Sequence, residues 1–565
     1  MGQHPLPGYI SRLPIPVLNF QFHKESNLRI LRTSRFIRPG IRVSTNPVKR
    51  SLLSSFPLHT MVQQAAAETE VAIGFHTAKD IGSPEISVPV QGTIPSWVKG
   101  VLYRTGPGIY EGGSIKVRHW FDGYGCVYRF EIGDGEVKYR SELINETVYA
   151  QKKRGNEIWF GQDVCKGVFG KVMGMWSRGK QGMYDTNVSV TVGKFPGKDI
   201  VVRTDSAICV EIDPVTAKEK DRFTYETINV GEKGSLDGEM AAAHAQFDVQ
   251  KGELWNFSLK MGPPPGGEYS VLRVIKEGAK KMTEIKRAPS YIHSFAMTEN
   301  YVILMFWPCI MGPLKMLYEK NLLDSLHWKN EKTKFFVIDR SSGRHVATYE
   351  SDPFFCFHTV NAYELPHQED GRTRTDIVID LCRYDDMKII ESFKNEYLRT
   401  KKLSFFPKPM LTRYTLHDME LGKTRGPDLF LQATEHRVCS THSIELPRYN
   451  SAFHMRPYKY AYGVMSNEDY GQFIFNGLVK IDVQTGEATV WSEPHCHPGE
   501  PIFLKGPSAS EEDEDGGVLL SVVLDSTAQC SFLLVLNAKN MEEIARANVN
   551  RVMPFGFHGN FIAAK

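Results

Sequence analysis

LVKIDVQTGEATVW, running from Leu478 to Trp491, decides how this chain folds. Apolar residues stand close to period-two alternation on both sides of Asp482 to Gly486, which argues for two strands. Asp and Gly at the junction argue for a tight turn between them. The same word recurs as ICVEIDPVTAKEK from Ile208, FFVIDRSSGRHVA from Phe335 and LLVLNAKNMEEIA from Leu533. The copies are unevenly spaced, so they are not a tandem repeat. Irregular hairpins spread along the chain fit a closed all-β propeller whose blades carry large insertions.

A chain of 565 residues can remain one unit in such an architecture. An apolar content of 41% and a charged content of 24% are ordinary for a globular protein. A net charge of +3 gives no footing for a nucleic-acid partner. The nine cysteines include no C-x-x-C pair, which excludes a zinc ribbon and fits a reducing compartment. Asn145-Glu146-Thr147 and Asn256-Phe257-Ser258 match the glycosylation pattern by coincidence, since no secretory signal accompanies them. The acidic run Glu511 to Asp515 reads as a solvated loop.

No apolar run is long enough to span a bilayer. YVILMFWPCIMGPLKMLY, from Tyr301 to Tyr318, reads either as a buried strand and loop or as an apolar surface patch. Trp159 to Trp176 is a second such patch, and exposed patches of this kind mark membrane or partner contact. Peripheral membrane association is therefore expected.

Residues 1–60 hold nine basic side chains (Arg12, Lys24, Arg29, Arg32, Arg35, Arg38, Arg42, Lys49 and Arg50) against the single acid Glu25. Arg-rich, Ser-rich and acid-poor composition is that of a mitochondrial transit peptide, with a disordered leader or a start at Met61 as the alternatives. Without targeting, a cytoplasmic, membrane-associated protein is expected. Leu6 stands where myristoylation wants Ser or Thr. The chain divides in this reading into a basic leader, 1–60, and one folded domain, 61–565.

Four histidines sit in apolar, aromatic-rich words: His244 in AAAHAQFD, His293 in SYIHSFAMT, His358 in FFCFHTVNAYE and His558 in PFGFHGNF. They lie far apart in sequence, so only a closed tertiary fold can bring them together. Neutral imidazoles suit iron, copper or zinc better than calcium or magnesium.

The words around them carry a resemblance that covers roughly residues 90–565. It begins at Gly92 to Trp97 (GTIPSW), passes through LYRTGPG (Leu102 to Gly108) and RHWFDG (Arg118 to Gly123), and closes with GEPIFL (Gly499 to Leu504), GGVLLSVV and GFHG. On these words the chain resembles the carotenoid cleavage oxygenase family, in its animal-type branch of carotene oxygenases and retinoid isomerohydrolases. The resemblance implies a seven-bladed propeller with a helical cap and iron on its axis. Cap candidates are Leu317 to Trp328 and Met387 to Lys402.

The resemblance also implies one Fe2+ held by His244, His293, His358 and His558, with Glu445, Glu500 and Asp205 behind them orienting the imidazoles. No catalytic side chain is expected beyond that centre. Asp205 stands where the family has glutamate, one methylene longer, so its reach to a histidine is expected to need a backbone shift or a water. AHAQ around His244 lacks the proline that follows this histidine in the animal branch. Trp120, Phe121, Phe354, Phe357 and Phe555 are candidates for lining an apolar substrate tunnel.

The implied reaction is insertion of O2 across one C=C bond of a carotenoid such as β-carotene, at the 15,15' or the 9',10' bond, giving retinal or other apocarotenoid aldehydes. A retinoid isomerohydrolase and a stilbene-cleaving dioxygenase are the alternatives on the same fold. Neither GPPPGG (Gly262 to Gly267) nor GPGIYEGG (Gly106 to Gly113) has the Lys-Ser/Thr of a phosphate loop. Oligomeric state is not legible.

Overall fold

Asp482 shapes its turn by accepting hydrogen bonds from the Gln484 and Thr485 amides at 2.9 and 3.1 Å, and Gly486 follows with φ 78°. The side chain imitates a backbone turn, and glycine enters the left-handed region without a Cβ penalty. The other three copies close in the same way. Asp213 caps the Thr216 amide at 2.7 Å ahead of Ala217, Asp339 caps Ser342 at 2.8 Å ahead of Gly343, and Asn537 caps Lys539 at 2.9 Å ahead of Met541. Ala217 and Met541 adopt positive φ despite their side chains, at 58° and 62°. Two further copies escaped the sequence reading: Asp248 ahead of Gly252, and Asp525 ahead of Gln529.

The computed structural model describes residues 68–564 apart from 113–114, 147–148, 150–185, 263–265, 313–314, 316–321, 401–405, 468–474 and 511. The basic leader and the patch Trp159 to Trp176 lie outside the described residues.

Strands dominate and form a propeller-like arrangement of antiparallel sheets. One sheet has five strands, three have four, one has six and one has eight, with two small two-stranded ribbons beside them. The first and last parts of the chain meet in the five-stranded sheet, where Gly559–Ala563 pairs with Gly100–Ile109. That pairing closes the circle and leaves few exposed edges. In the eight-stranded sheet, His345–Ser351 runs parallel to Phe430–Arg437. Every other strand pairing among the described residues is antiparallel.

Three readings are decided by the structure. Of the two readings of the run from Tyr301, the buried strand holds for Tyr301 to Met311: Tyr301–Phe306 and Cys309–Met311 are both buried strands, with Trp307 fully enclosed between them. The apolar run serves sheet packing, because both of its faces meet other side chains. Helical content is also smaller than expected. Met387 to Lys402 forms two short helices, Lys388–Ser392 and Asn395–Thr400, and the described part of Leu317 to Trp328 is the helix Leu322–Ser325 followed by the strand Leu326–Trp328. That strand pairs with Cys309–Met311, so ladder hydrogen bonds take over where the helix was expected to continue.

Third, the acidic run is no solvated loop at its far end. Glu514 is buried and accepts the Lys459 and Tyr460 amides at 2.9 and 3.0 Å, and Asp515 pairs with buried Lys480 at 2.5 Å. Carboxylates can be buried where backbone donors and an ammonium satisfy them. Asn145 and Asn256 are fully buried, which removes both glycosylation matches. None of the eight described cysteines is in a disulfide.

Candidate metal centre

The four histidines come from sheet edges that face one another. His244 lies just before the edge strand Gln246–Asp248 of a four-stranded sheet. His293 precedes Ala296–Met297, and His358 lies within Phe355–Glu369, the two opposite edges of the eight-stranded sheet. His558 directly precedes Gly559–Ala563 at the edge of the five-stranded sheet. Their ligand nitrogens all fall within 4.8 Å of one another, and the group could hold a metal ion.

Three carboxylates stand behind three of these rings. His293 Nδ1 lies 2.8 Å from Asp205 Oδ2, His358 Nδ1 lies 2.5 Å from Glu445 Oε2, and His558 Nδ1 lies 2.7 Å from Glu500 Oε1. A carboxylate accepts, so each Nδ1 carries the proton and each Nε2 presents a lone pair. These lone pairs converge. His358 Nε2 is buried with no hydrogen-bond partner among the described residues, and His244 Nε2 lies 3.0 Å from His558 Nε2. Burial, reinforced by neighbouring imidazoles, holds His244 and His558 well below the usual histidine range, so both stay neutral. Four imidazole nitrogens around a common point fit a divalent transition metal and not calcium or magnesium.

The carboxylates are themselves held in place. The Tyr291 hydroxyl donates to Asp205 Oδ2 at 2.7 Å, and the Ala243 amide donates to Oδ1 at 3.1 Å. The Tyr384 hydroxyl donates to Glu445 Oε1 at 3.0 Å. Leu446, at φ 47°, turns its amide onto Glu445 Oε2 at 2.6 Å. A leucine in the left-handed region is strained, and here the strain aims a donor at the carboxylate.

Glu500 takes two guanidinium groups, Arg104 Nη1 at 2.9 Å and Arg448 Nε at 2.8 Å. Gly559 permits this approach, because a Cβ there would stand 2.5 Å from Arg104 Cδ. Three carboxylates and two arginines leave one net negative charge, which a divalent cation would outweigh.

Tyr291, Tyr384, Arg104 and Arg448 were missed in the sequence. Arg104 stands in LYRTGPG, Tyr291 stands in SYIHSFAMT two residues before His293, and Arg448 follows Glu445 by three residues, yet nothing local shows what they touch.

A cavity opens onto His293, His358 and His558. Trp120, Phe121 and Phe357 line it, together with Phe393, Phe475 and Phe557. Phe354 and Phe555 do not. Phe354 stacks on Tyr414 at 4.7 Å inside the core, and Phe555 packs against Phe75 at 5.0 Å on the far side of Trp120. Phe354 stands just ahead of the strand Phe355–Glu369 that carries Phe357, three residues away in one aromatic word, so the two read alike in sequence. The lining also includes the polar residues Asp122, Thr204 and Ser206.

Comparison with known proteins agrees with this architecture. The family model described as retinal pigment epithelial membrane protein matches residues 74–563. A torulene dioxygenase of Fusarium fujikuroi is 33% identical over 551 residues, covering 85% of this chain and 91% of that protein. A mitochondrial carotenoid-cleaving dioxygenase of Mustela putorius furo is 30% identical, covering 84% and 94%. A β,β-carotene 15,15'-dioxygenase of Rattus norvegicus is 31% identical, covering 84% and 88%. Among solved structures, a cobalt-substituted Synechocystis apocarotenoid oxygenase superposes with a TM-score of 0.70 at 20% identity, covering 88% of this chain and 98% of that one. At that identity the likeness speaks for the fold alone. With a family match that spans nearly all of the described residues, the chain belongs to the retinal pigment epithelial membrane protein family, which is also the family of the carotenoid oxygenases.

Proposed function

We propose that this protein is a non-haem iron(II) dioxygenase that cleaves one C=C bond of a carotenoid such as β-carotene, at the 15,15' or the 9',10' bond, to two aldehydes. One observation carries the reading: four imidazoles converge, three of them oriented by carboxylates, and three of the four histidines face an aromatic-lined cavity. The names of the relatives, three carotenoid dioxygenases, support the same class.

His244, His293, His358 and His558 would hold the iron, and Asp205, Glu445 and Glu500 would fix their tautomers. Iron, when bound, supplies activation of O2. The chain supplies position and dryness. Phe121, Phe357, Phe393 and Phe557 form an apolar wall against which a rigid polyene can lie, and their packing keeps bulk water from the reacting bond. With no other nucleophile or general acid required, the depth to which the polyene enters selects the bond.

A seven-bladed propeller is supported by the sheet count. The six larger sheets make seven units if the eight-stranded one is divided at its parallel pair. Each unit then contributes one of the four histidines or three carboxylates. Peripheral association with a membrane leaflet follows from the insolubility of the substrate, and Trp159 to Trp176 is the segment to test by liposome flotation of Met175→Glu and Trp176→Glu. Among the described residues no helix is long and apolar enough to cross a membrane. The basic leader and the mitochondrial relatives support a mitochondrial address.

Purified protein incubated with detergent-solubilised β-carotene under labelled O2 tests the reaction. Both aldehydes carry label when exchange with water is controlled, and their identity names the bond. Undiminished turnover under strict anaerobiosis would instead support a retinoid isomerohydrolase.

A further inference from the structure

RHWFDG, from Arg118 to Gly123, contributes two aromatic side chains to the cavity, but its histidine points elsewhere. His119 is buried, and its contacts define one tautomer. Nδ1 accepts the Phe121 amide at 3.2 Å, so the proton sits on Nε2, which donates to the Ile390 carbonyl at 2.7 Å. One imidazole thus joins the main chain beneath Phe121 to a helix more than two hundred residues later.

Backbone contacts run beside it. The Trp120 amide donates to the Phe393 carbonyl at 3.0 Å, and the Asn395 amide donates to the Arg118 carbonyl at 2.9 Å. The two stitched segments carry the rings that face the centre. Phe121 lies 5.3 Å from Phe393, 5.7 Å from Phe357 and 5.4 Å from Phe557, ring centre to ring centre. Phe357 in turn lies 5.5 Å from His293.

We propose that His119 is a positioning residue: by clamping the Phe121 segment to the Ile390–Phe393 segment, it sets the aromatic wall that determines which double bond of the polyene stops at the four-histidine centre. This rests on the dioxygenase reading of that centre. A second linkage would serve as well for mere stability, and the backbone bonds already supply it. Imidazole adds a rigid two-ended spacer that no aliphatic residue can replace. Burial pushes its pKa down to about 3, so the ring stays neutral and serves neither as an acid nor as a base at ordinary pH. The geometry is sensitive, since displacement of a bound substrate by roughly 1 Å can cost about a hundredfold in rate.

Two variants test this. His119→Asn keeps an oxygen able to accept the Phe121 amide but cannot reach Ile390, and Phe121→Leu removes the ring on which His119 acts. Iron content, kcat, KM and the ratio of aldehyde products are measured on each. Bound metal should be unchanged, while the product ratio shifts at least about threefold, and in the same direction for both variants. A merely structural histidine would lower active fraction without moving that ratio.

Induced circular dichroism of an apocarotenal bound to metal-free protein supplies a readout without turnover, and its band should move in both variants. An unchanged product ratio and unchanged dichroism in Phe121→Leu would overturn the proposal even if His119→Asn fails to fold. If the unmodified enzyme cleaves no polyene, the dioxygenase reading fails, and the dichroism then decides the wall's dependence on His119 separately.

Discussion

Asp205 meets His293 directly, carboxylate oxygen to Nδ1, at 2.8 Å. The missing methylene requires no bridging water. The shorter side chain starts from a turn between Lys198–Arg203 and Ile208–Ile212 that brings its backbone close: the Ala241 amide donates to the Asp205 carbonyl at 3.2 Å. Asp205→Ala should weaken metal retention or activity by ~10–100-fold, the usual cost of losing a carboxylate behind a metal-bound histidine. Dialysis against graded chelator measures it, and an Ala variant that retains metal like the parent removes Asp205 from the centre. Glu445→Ala and Glu500→Ala should fall in the same range, with Glu500 adding a folding penalty because Arg104 is left buried and unpaired.

Replacing any one of His244, His293, His358 and His558 by Ala should abolish turnover, since each leaves the set one donor short. Elemental analysis of the unmodified protein should give about one iron per chain, by the single cluster of nitrogens. Zinc at that level in a fully active preparation would overturn the iron assignment. Removing the metal should also lower the thermal midpoint, because a site preformed only in the folded chain binds the native state alone.

We predict that the N-terminal boundary of the working enzyme falls between Met61 and Phe75. The Thr69 amide bonds the Arg399 carbonyl at 2.7 Å, and the Phe555 amide bonds the Gly74 carbonyl at 2.9 Å. Phe75 is fully buried, with its ring 5.6 Å from that of Trp120 in the cavity wall. A chain beginning at Met61 should keep full activity in vitro, whereas one beginning at Thr77 should be unstable. Phe75→Ala should cost about 3–5 kcal/mol in denaturant unfolding, the range for emptying a buried aromatic site. Fusion of residues 1–60 to a fluorescent protein tests the address, and a diffuse cytosolic signal would count against mitochondria.

Acid should destabilise the metal-free protein earlier than its carboxylates alone would allow. Burial lowers His119 to about 3, and His454 and His497 each to about 4. These folded values lie below the ordinary 6.5, so as pH falls the unfolded chain takes up protons first. The stability is complete above that ordinary value and drains away toward the folded ones. Burial would raise Glu111, but hydrogen bonds from His76 and the Arg399 charge lower it to about 2, so its loss begins only below 4.5. The thermal midpoint should therefore already fall between about pH 6.5 and 5, a window that belongs to the buried histidines. A flat profile there would show that these rings are protonated in the folded state.

Some of this protein was written locally. Asp482 and Gly486 announce their hairpin because an Asx side chain and a left-handed glycine act within five residues of each other, and strand alternation is equally local. The four histidines were also legible, through words that surround each one. Other features depend on partners far away in the chain. Glu514 stands in an acidic run, yet the Lys459 and Tyr460 amides bury it. Phe354 and Phe357 read alike, but one stacks on Tyr414 in the core and the other lines the cavity.

Tyr291, Tyr384, Arg104 and Arg448 have no local mark at all, because a donor's value lies in the carboxylate it meets. Sequence alone determined the strand-and-turn alphabet and singled out the four histidines that could hold a metal. Only tertiary structure decided that Asp205 is long enough, which rings face the cavity, and which charges are buried, since each depends on distances set when sheets distant in sequence close around one axis.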